Sequence, residues 1–250
     1  MQKQRIAVVT GAAQGLGLAF AQKLVADQFR VVMVDRDPAQ LEKAAASLPR
    51  EQVMTVTADL SDRAAPAAVE RAVRERFGIA TVLVNNAGIA PKHDGRAWNI
   101  VETTLEEWDQ VVAVNLTAVM MMCKAFIPGM QQEKYGRIVN VSSTAGRTSG
   151  VLNGPSYMAT KAGVLGLTRH VAGTFGRDGI TANALAPGRI ITPLAARWSP
   201  EQEAAYNRAN PTGRSGVPEE AAAAVAYLVS EAAGFTNGAI IDINGGQFMG

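Results

Sequence analysis

Short runs of apolar, largely β-branched residues alternate along this chain with longer stretches in which apolar positions recur every three or four residues. The runs at 6–9, 31–34, 53–56, 82–84, 138–141, 180–185 and 240–243 read as seven strands. Unbroken apolar runs of this length suit strands buried on both faces, as in a parallel sheet covered by helices. After the first strand, Leu16, Phe20 and Leu24 recur every four residues and set one apolar stripe against the sheet. Further helices are expected near 38–48, 62–77, 103–130, 155–176 and 217–231. The alanine clusters at 44–46, 64–68 and 221–224 suit helix surfaces. Strand–helix alternation from end to end predicts one α/β domain over residues 1–250: a single Rossmann-like, doubly wound parallel sheet of about seven strands flanked by helices. No repeat or linker marks a second domain. The stretch 187–216, punctuated by Pro and Gly, is the longest without a clear pattern, and such loops often act as lids.

Composition narrows the classes. A length of 250 residues suits one α/β domain, and 48% hydrophobic residues exclude a disordered chain. The net charge of +2 offers no basic or acidic face for nucleic acid or an anionic membrane. Cys123 is the only cysteine, so no internal disulfide is possible, and its apolar neighbours make it a small core residue. Residues 1–5 run into the first apolar segment without a signal-peptide core. No later stretch offers eighteen uncharged apolar residues, so a cytoplasmic protein without a membrane partner is expected.

The first strand ends in Thr10-Gly11-Ala12-Ala13-Gln14-Gly15-Leu16-Gly17 and opens into a helix. Glycines permit a tight turn and close backbone approach, while the helix start offers free N–H groups to a pyrophosphate. The alternative is a turn that merely packs helix on strand; the strand–turn–helix context favours a nucleotide. Asp35 ends the second strand eighteen residues after Gly17, the place of an acidic residue that hydrogen-bonds a ribose diol. A carboxylate there repels a 2′-phosphate and favours NAD, whereas the neighbouring Arg36 is able to pair with that phosphate. Asp59-Leu60 after the third strand and Asn85-Asn86-Ala87-Gly88 after the fourth lie where ligands bind in open α/β sheets. Each has a plain alternative: Asp59 as cap of a helix starting near Ser61, and Asn-Ala-Gly as ordinary turn chemistry.

Ser143, Tyr157 and Lys161 form the most informative group. Tyr157 and Lys161 are four apart in a helical pattern and share a face. A lysine cation about 4 Å from a tyrosine hydroxyl favours the phenolate by up to about 4 kcal/mol at an effective dielectric constant near 20. That is about three pKa units, enough to bring a phenol with ordinary pKa about 10 toward neutrality. Ser143 follows the fifth strand, where its hydroxyl is placed to hold a substrate oxygen beside Tyr157.

Taken together, Thr10 to Gly17, Asp59, Asn85 to Gly88, Asn115, Ser143, Tyr157-x-x-x-Lys161 and Pro187-Gly188 resemble the short-chain dehydrogenase/reductase family, over nearly the whole chain and in the family's order. The resemblance implies a catalytic set of Asn115, Ser143, Tyr157 and Lys161. In it the serine positions the substrate oxygen and the tyrosine is the general acid/base. The lysine lowers the tyrosine pKa and grips the nicotinamide ribose, and the asparagine holds a water of the proton relay. It implies a coenzyme site of Gly11, Gln14, Gly15, Leu16, Gly17, Asp35, Arg36, Asp59, Leu60, Asn86, Ala87, Gly88, Tyr157, Lys161, Pro187, Gly188, Ile190 and Thr192. In that site Asp59 meets adenine, Asn86 lies near the ribose, and Ile190 and Thr192 hold the carboxamide. A second strand ending in Asp, with Gln14 where NADP-preferring members often carry Arg or Lys, points to NAD. Two features depart from the pattern: Arg36, and a longer loop at 89–103 beside the mouth of the cleft. Helices over 111–127 and 155–172 are more apolar than one sheet face needs, and the family pairs them between subunits, so a homotetramer is expected.

The expected activity is hydride transfer between NAD(H) and a secondary alcohol or ketone, such as a polyol, sugar or hydroxy acid. One alternative is an NADP-dependent ketoreductase, such as a 3-oxoacyl thioester reductase. The other is a non-catalytic dinucleotide-binding sensor. His93 and His170, the only histidines, lack metal-ligand spacing, so no metal is expected. Arg147 and Arg189 are either solvated surface residues or contacts for an anionic substrate.

Overall fold

The computed structural model describes residues 4–149, 152–192 and 199–250. All seven expected strands are present: β1 (Ile6–Thr10), β2 (Arg30–Asp35), β3 (Val53–Thr57), β4 (Val82–Asn85), β5 (Gly136–Val141), β6 (Ile180–Pro187) and β7 (Ile240–Ile243). They form one sheet in the order β3-β2-β1-β4-β5-β6-β7, with every pairing parallel. The chain starts in the middle, winds out to β3, then returns past β1 to β4 and winds the other way. This reversal between β1 and β4 opens a crevice at the carboxyl ends of the strands, the place where open α/β sheets bind ligands.

The helices are α1 (Gly15–Ala26), α2 (Pro38–Ala45), α3 (Ala65–Arg76), α4 (Leu105–Val112), α5 (Ala118–Glu133), α6 (Pro155–Phe175), α7 (Pro200–Ala209) and α8 (Pro218–Val229). Two apolar layers explain why the strands are unbroken apolar runs. On one face α1 and α8 cover the sheet, with Phe20, Leu24, Val225 and Leu228 packed on Val9, Val31 and Val139. On the other, Met122, Phe126 and Val171 pack on Val8, Leu83 and Ile138. Cys123 lies in this second layer, buried, with its thiol pushed up to about 12 by desolvation. It is a core residue.

The sequence pattern needs correcting in three places. The helix expected over 103–130 runs from Leu105 to Glu133, but a π turn at Ala113–Thr117 divides it. By length and composition it could cross a membrane; 44% of its most apolar window is buried within this fold, where it covers β4 and β5. The unpatterned stretch 187–216 contains α7, begun by a capping box in which Ser199 and Gln202 exchange side-chain and backbone hydrogen bonds. Ser199-Pro200-Glu201-Gln202 carries that signal in the sequence. Finally, Asp59 does not start a helix: its carboxylate accepts from the Ser61 amide and hydroxyl, a local turn, and α3 begins at Ala65. Residues 193–198 of the expected lid, and 1–3 of the leading segment, lie outside the described residues.

Candidate active site

The crevice encloses about 820 Å³ and runs from the ends of β2 and β3 to the loops after β5 and β6. Its β1 wall is the glycine turn. Gly11 and Gly15 have φ of +65° and +58°, a region other residues rarely adopt. A Cβ on Gly17 would lie 2.0 Å from the Gly11 carbonyl, and one on Gly11 2.9 Å from the Ala87 Cα. The turn therefore folds back on itself and lies flush against the end of β4. Thr10 and Asn86 lock that contact: Thr10 Oγ1 accepts from the Asn86 and Ala87 amides at 2.9 and 3.0 Å, and Asn86 Nδ2 donates to the Thr10 and Gly11 carbonyls at 2.9 and 3.1 Å.

The α1 helix opens into this crevice with Gln14 at its N-cap and no side chain bonded to its first-turn amides. By contrast, α2, α4 and α7 are each capped by a side chain, from Asp37, Thr104 and Ser199. Bare amides at the positive end of a helix dipole, beside a backbone shaved of Cβ atoms, fit the pyrophosphate of a dinucleotide. Leu16 and Leu60 line the same wall, Leu60 being buried beside Val34 in the core.

Asp35 stands at the end of β2 with both oxygens engaged by backbone. One accepts from the Ala13 amide at 3.0 Å, the other from Asp37 at 3.2 Å. The carboxylate thus fixes the glycine turn, and each oxygen keeps a further lone pair for a ribose hydroxyl. Arg36 is exposed on the same wall. The two bonds from Ser61, aided by the Arg36 charge, hold the Asp59 carboxyl below its usual range.

The opposite wall comes from β5, α6 and β6. Ser143 Oγ accepts from the Ala145 amide at 3.1 Å, and its hydroxyl faces that of Tyr157 and favours the phenolate. Gly146 lets this loop lie on α6: a Cβ there would sit 2.7 Å from the Lys161 backbone carbon. Ser142 Oγ donates to the Lys161 carbonyl at 2.7 Å, tying the two elements again. Lys161 is only 4% exposed, and its Nζ donates to the Val141 carbonyl at 2.8 Å. Burial pushes its ammonium down to about 8. Tyr157 is pushed up by desolvation, with the Ser143 bond pulling it back. Lys161 Nζ sits 5.7 Å from the Tyr157 ring centroid, and in the coenzyme-free chain burial is the largest influence on the tyrosine.

Asn115 enters through the π turn, which adds a residue to the helix and turns this side chain inward. It is completely buried. Its Oδ1 accepts from the Ile89 amide at 2.8 Å and its Nδ2 donates to the Ile89 carbonyl at 2.9 Å. A Cβ on Gly88 would lie 3.4 Å from both Asn115 Oδ1 and Lys161 Nζ, so the three meet at the crevice floor. Beyond them, Pro187 and Gly188 end β6. Ile190 pairs with Gly216, and Thr192 lies 3.5 Å from where a Gly15 Cβ would be. The β6 loop thus closes across the glycine turn.

The 89–103 loop is ordered by its own contacts. His93 stacks on Trp98 with ring centroids 3.4 Å apart and bonds Glu107 at 2.5 Å. Asp94 and Gly95, both at positive φ, turn the chain so that His93 pairs with Arg96. Arg147 and Arg189 are neither solvated nor free: they pair with Asp242 and Glu203. Lys92 and Arg96 of the 89–103 loop line the crevice at the mouth, where the sequence placed that loop, and Tyr206, which the sequence did not single out, lines it too. Among the described residues no group of three His, Cys, Asp or Glu could hold a metal.

The family model described as Enoyl-(Acyl carrier protein) reductase matches residues 11–247. The chain belongs to the short-chain dehydrogenase/reductase family. It is 35% identical to a meso-2,3-butanediol dehydrogenase from Serratia marcescens, over 97% of this chain and 94% of that one. It is 39% identical to a cis-4-hydroxycyclohexanecarboxylate dehydrogenase from Sinomonas cyclohexanicum, over 97% and 96%. A solved 3-oxoacyl-[acyl-carrier protein] reductase from Brucella melitensis with bound NAD superposes with a TM-score of 0.90 at 36% identity, covering 100% of this chain and 93% of that one. As a short-chain dehydrogenase/reductase, this protein is an oxidoreductase of alcohols and ketones that binds a nicotinamide dinucleotide and takes a small-molecule substrate.

Proposed function

We propose that the protein is an NAD-dependent dehydrogenase of secondary alcohols, with Tyr157 as general acid/base. The supporting observation is the meeting of Ser143, Tyr157 and Lys161 in one crevice with the glycine turn and Asp35. Bound NAD supplies the hydride acceptor at nicotinamide C4, and its reduced form the donor. In oxidation the substrate carbinol loses its C–H as hydride and its O–H proton to the Tyr157 phenolate, leaving C=O. The Ser143 hydroxyl donates to the substrate oxygen and keeps it beside Tyr157. Lys161 grips the nicotinamide ribose, and its charge favours the phenolate. Asn115, by clamping Ile89, holds the loop at the floor and a water of the proton relay. In reduction the same groups run in reverse, Tyr157 giving its proton to the new alkoxide.

NAD is the proposed coenzyme because Asp35 ends β2 with spare lone pairs for a ribose diol and, among the described residues, no side-chain cation bonded to it. The second reading, an NADP-dependent 3-oxoacyl thioester reductase, is favoured for its coenzyme by exposed Arg36 and for its substrate alone by the likeness to the Brucella melitensis reductase, whose structure holds NAD. Relatives acting on a butanediol and a hydroxycyclohexanecarboxylate support diols, polyols and hydroxy acids as first substrates. The test is absorbance of reduced coenzyme over a panel of diols, sugars, hydroxy acids and ketones with NAD and with NADP. Turnover with NAD carries the reading, and preference for NADP replaces it with the second. Tight NADH binding without turnover on any alcohol or ketone makes the protein a dinucleotide sensor.

We further propose a cytoplasmic homotetramer paired through the helices over 111–127 and 155–172. In its support, only 44% of the most apolar window of Leu105–Glu133 is buried within one chain, and Met120 is exposed on it. Light scattering at micromolar concentration tests this; a monomeric mass rejects it.

A further inference from the structure

The charged side chains of the crevice are segregated. Where β2 and β3 end, Asp35 and Asp59 flank Arg36. On the loops after β4 and β6 all three charged residues are cations: Lys92, Arg96 and Arg189. Two of these are neutralised. Arg96 gives Glu102 two hydrogen bonds at 2.7 and 2.6 Å, and Arg189 Nε donates to Glu203 at 2.7 Å. Lys92 differs. Among the described residues it has no carboxylate partner, and its Nζ reaches across the mouth to the loop after β5, where it donates to the Leu152 main-chain carbonyl. Burial pushes its ammonium down with no carboxylate pulling it back.

Resting on the dehydrogenase reading, we propose that Lys92 determines specificity by binding a carboxylate carried by the substrate, so that the protein acts on hydroxy acids or their oxo acids. An ammonium has three donors, and the Leu152 carbonyl occupies one. A carboxylate entering the mouth meets an exposed cation held only by a neutral acceptor, and the new bond is charge-assisted. The rim holds Lys92 in place for this. Its neighbour His93 is pinned by the Trp98 stack and the Glu107 bond, so the chain at Lys92 is fixed on one side. On the other, Leu152 carries the opposite wall of the cleft and is itself exposed. Arg189 and Arg96 are already neutralised by Glu203 and Glu102, which leaves Lys92 as the cation of this rim without a carboxylate among the described residues.

The experiment compares paired substrates: 3-hydroxybutanoate and 5-hydroxyhexanoate, each against its primary amide, with 2,3-butanediol as an uncharged reference. Wild type, Lys92→Met and Lys92→Arg are measured at saturating coenzyme. The expected result is an acid-to-amide ratio of kcat/KM of about tenfold or more in wild type, carried by KM. Lys92→Met brings the ratio near one, and Lys92→Arg restores it. A strap role alone would lower acid and amide turnover together and leave the ratio unmoved, so a ratio that survives Lys92→Met overturns the proposal. So does turnover of butanediol and amides at least as efficient as that of the acids, a result that leaves the dehydrogenase reading standing. Silence of every alcohol, with coenzyme bound, overturns the dehydrogenase reading and this inference with it.

Discussion

The Lys161 ammonium donates to the Val141 carbonyl at 2.8 Å, so this buried cation is held by the end of a strand and not by a carboxylate. A neutral acceptor satisfies one proton and offsets little of the cost of removing a charge from water. That cost is visible as the fall of the lysine pKa from 10.5 to about 8, equivalent to about 3 kcal/mol. The coenzyme-free fold carries a residue that strains it.

Replacing Lys161 with Met is therefore expected to stabilise the coenzyme-free protein at pH 7 while abolishing turnover. The orphaned Val141 carbonyl takes back part of the gain, leaving about 1–2 kcal/mol, or roughly 3–6 °C in Tm. The pH dependence has a definite sign. The folded chain binds this proton less tightly than the unfolded one, so the penalty is complete below about pH 8 and is relieved as pH rises toward 10.5. Calorimetry of both proteins at pH 7 and pH 10 should show the variant's advantage shrinking. A lower Tm for Lys161→Met at pH 7 refutes the burial penalty.

Tyr157 carries the chemistry in the proposed mechanism, and its pKa is pulled in two directions. Burial raises it and the Ser143 hydrogen bond lowers it. A neutral phenol accepts no proton, so kcat/KM for alcohol oxidation should rise with pH as the phenolate forms. Ser143→Ala removes the lowering contact and should move that rise to higher pH. Tyr157→Phe keeps the ring and should cost 10²–10⁴-fold or more in turnover with NADH still binding. A Phe variant with more than about a tenth of wild-type activity contradicts the assignment.

The strands were legible because burial on both faces leaves an unbroken apolar run, and the ends of β1 to β7 fall within two residues of those runs. Glycines and the Tyr157–Lys161 spacing were legible for a similar reason: each is a local requirement. What escaped is longer in range. The π turn at Ala113–Thr117 has no signature in hydropathy, yet it turns Asn115 toward Ile89. The Lys92 contact with Leu152 joins residues sixty apart and exists only once β4 and β5 are paired. Partner identity was equally hidden, since nothing near Arg147 or Arg189 in the sequence foretells Asp242 or Glu203. Spacing along a helix fixes which residues share a face, but the sequence does not foretell that burial is the largest influence on Tyr157 or that Lys161 Nζ bonds the Val141 carbonyl.

Asp35 should set coenzyme choice, at a structural cost that its sequence position does not reveal. Asp35→Ser removes the repulsion of a 2′-phosphate and the ribose acceptors together. The ratio of kcat/KM for NADP over NAD should rise by tenfold or more, since each charge-assisted bond is worth about 1.5–3 kcal/mol. The same substitution releases the Ala13 and Asp37 amides, so Tm should fall and both coenzymes should bind less tightly than their best partners in wild type. Steady-state kinetics with each coenzyme measure the ratio. A wild-type enzyme that already prefers NADP shows that Arg36 outweighs Asp35.

Two glycine-to-alanine changes separate chemistry from packing. At Gly17 the added methyl would lie 2.0 Å from the Gly11 main-chain carbonyl and 2.6 Å from Asn86 Nδ2, a side-chain end held by two hydrogen bonds. The glycine turn must open to admit it, which pulls apart the Thr10–Asn86 lock and the bare amides of α1. Gly17→Ala should lose coenzyme binding and several degrees of Tm. At Gly173, in the last turns of α6, the methyl meets nothing within 4 Å and the backbone is ordinary helix. There Gly173→Ala should stabilise by about 0.5–1 kcal/mol, because alanine loses less conformational entropy on entering a helix. Thermal melts and NADH titrations of the two variants side by side test the contrast. A Gly17→Ala protein that binds NADH as tightly as wild type removes the glycine turn from the coenzyme site.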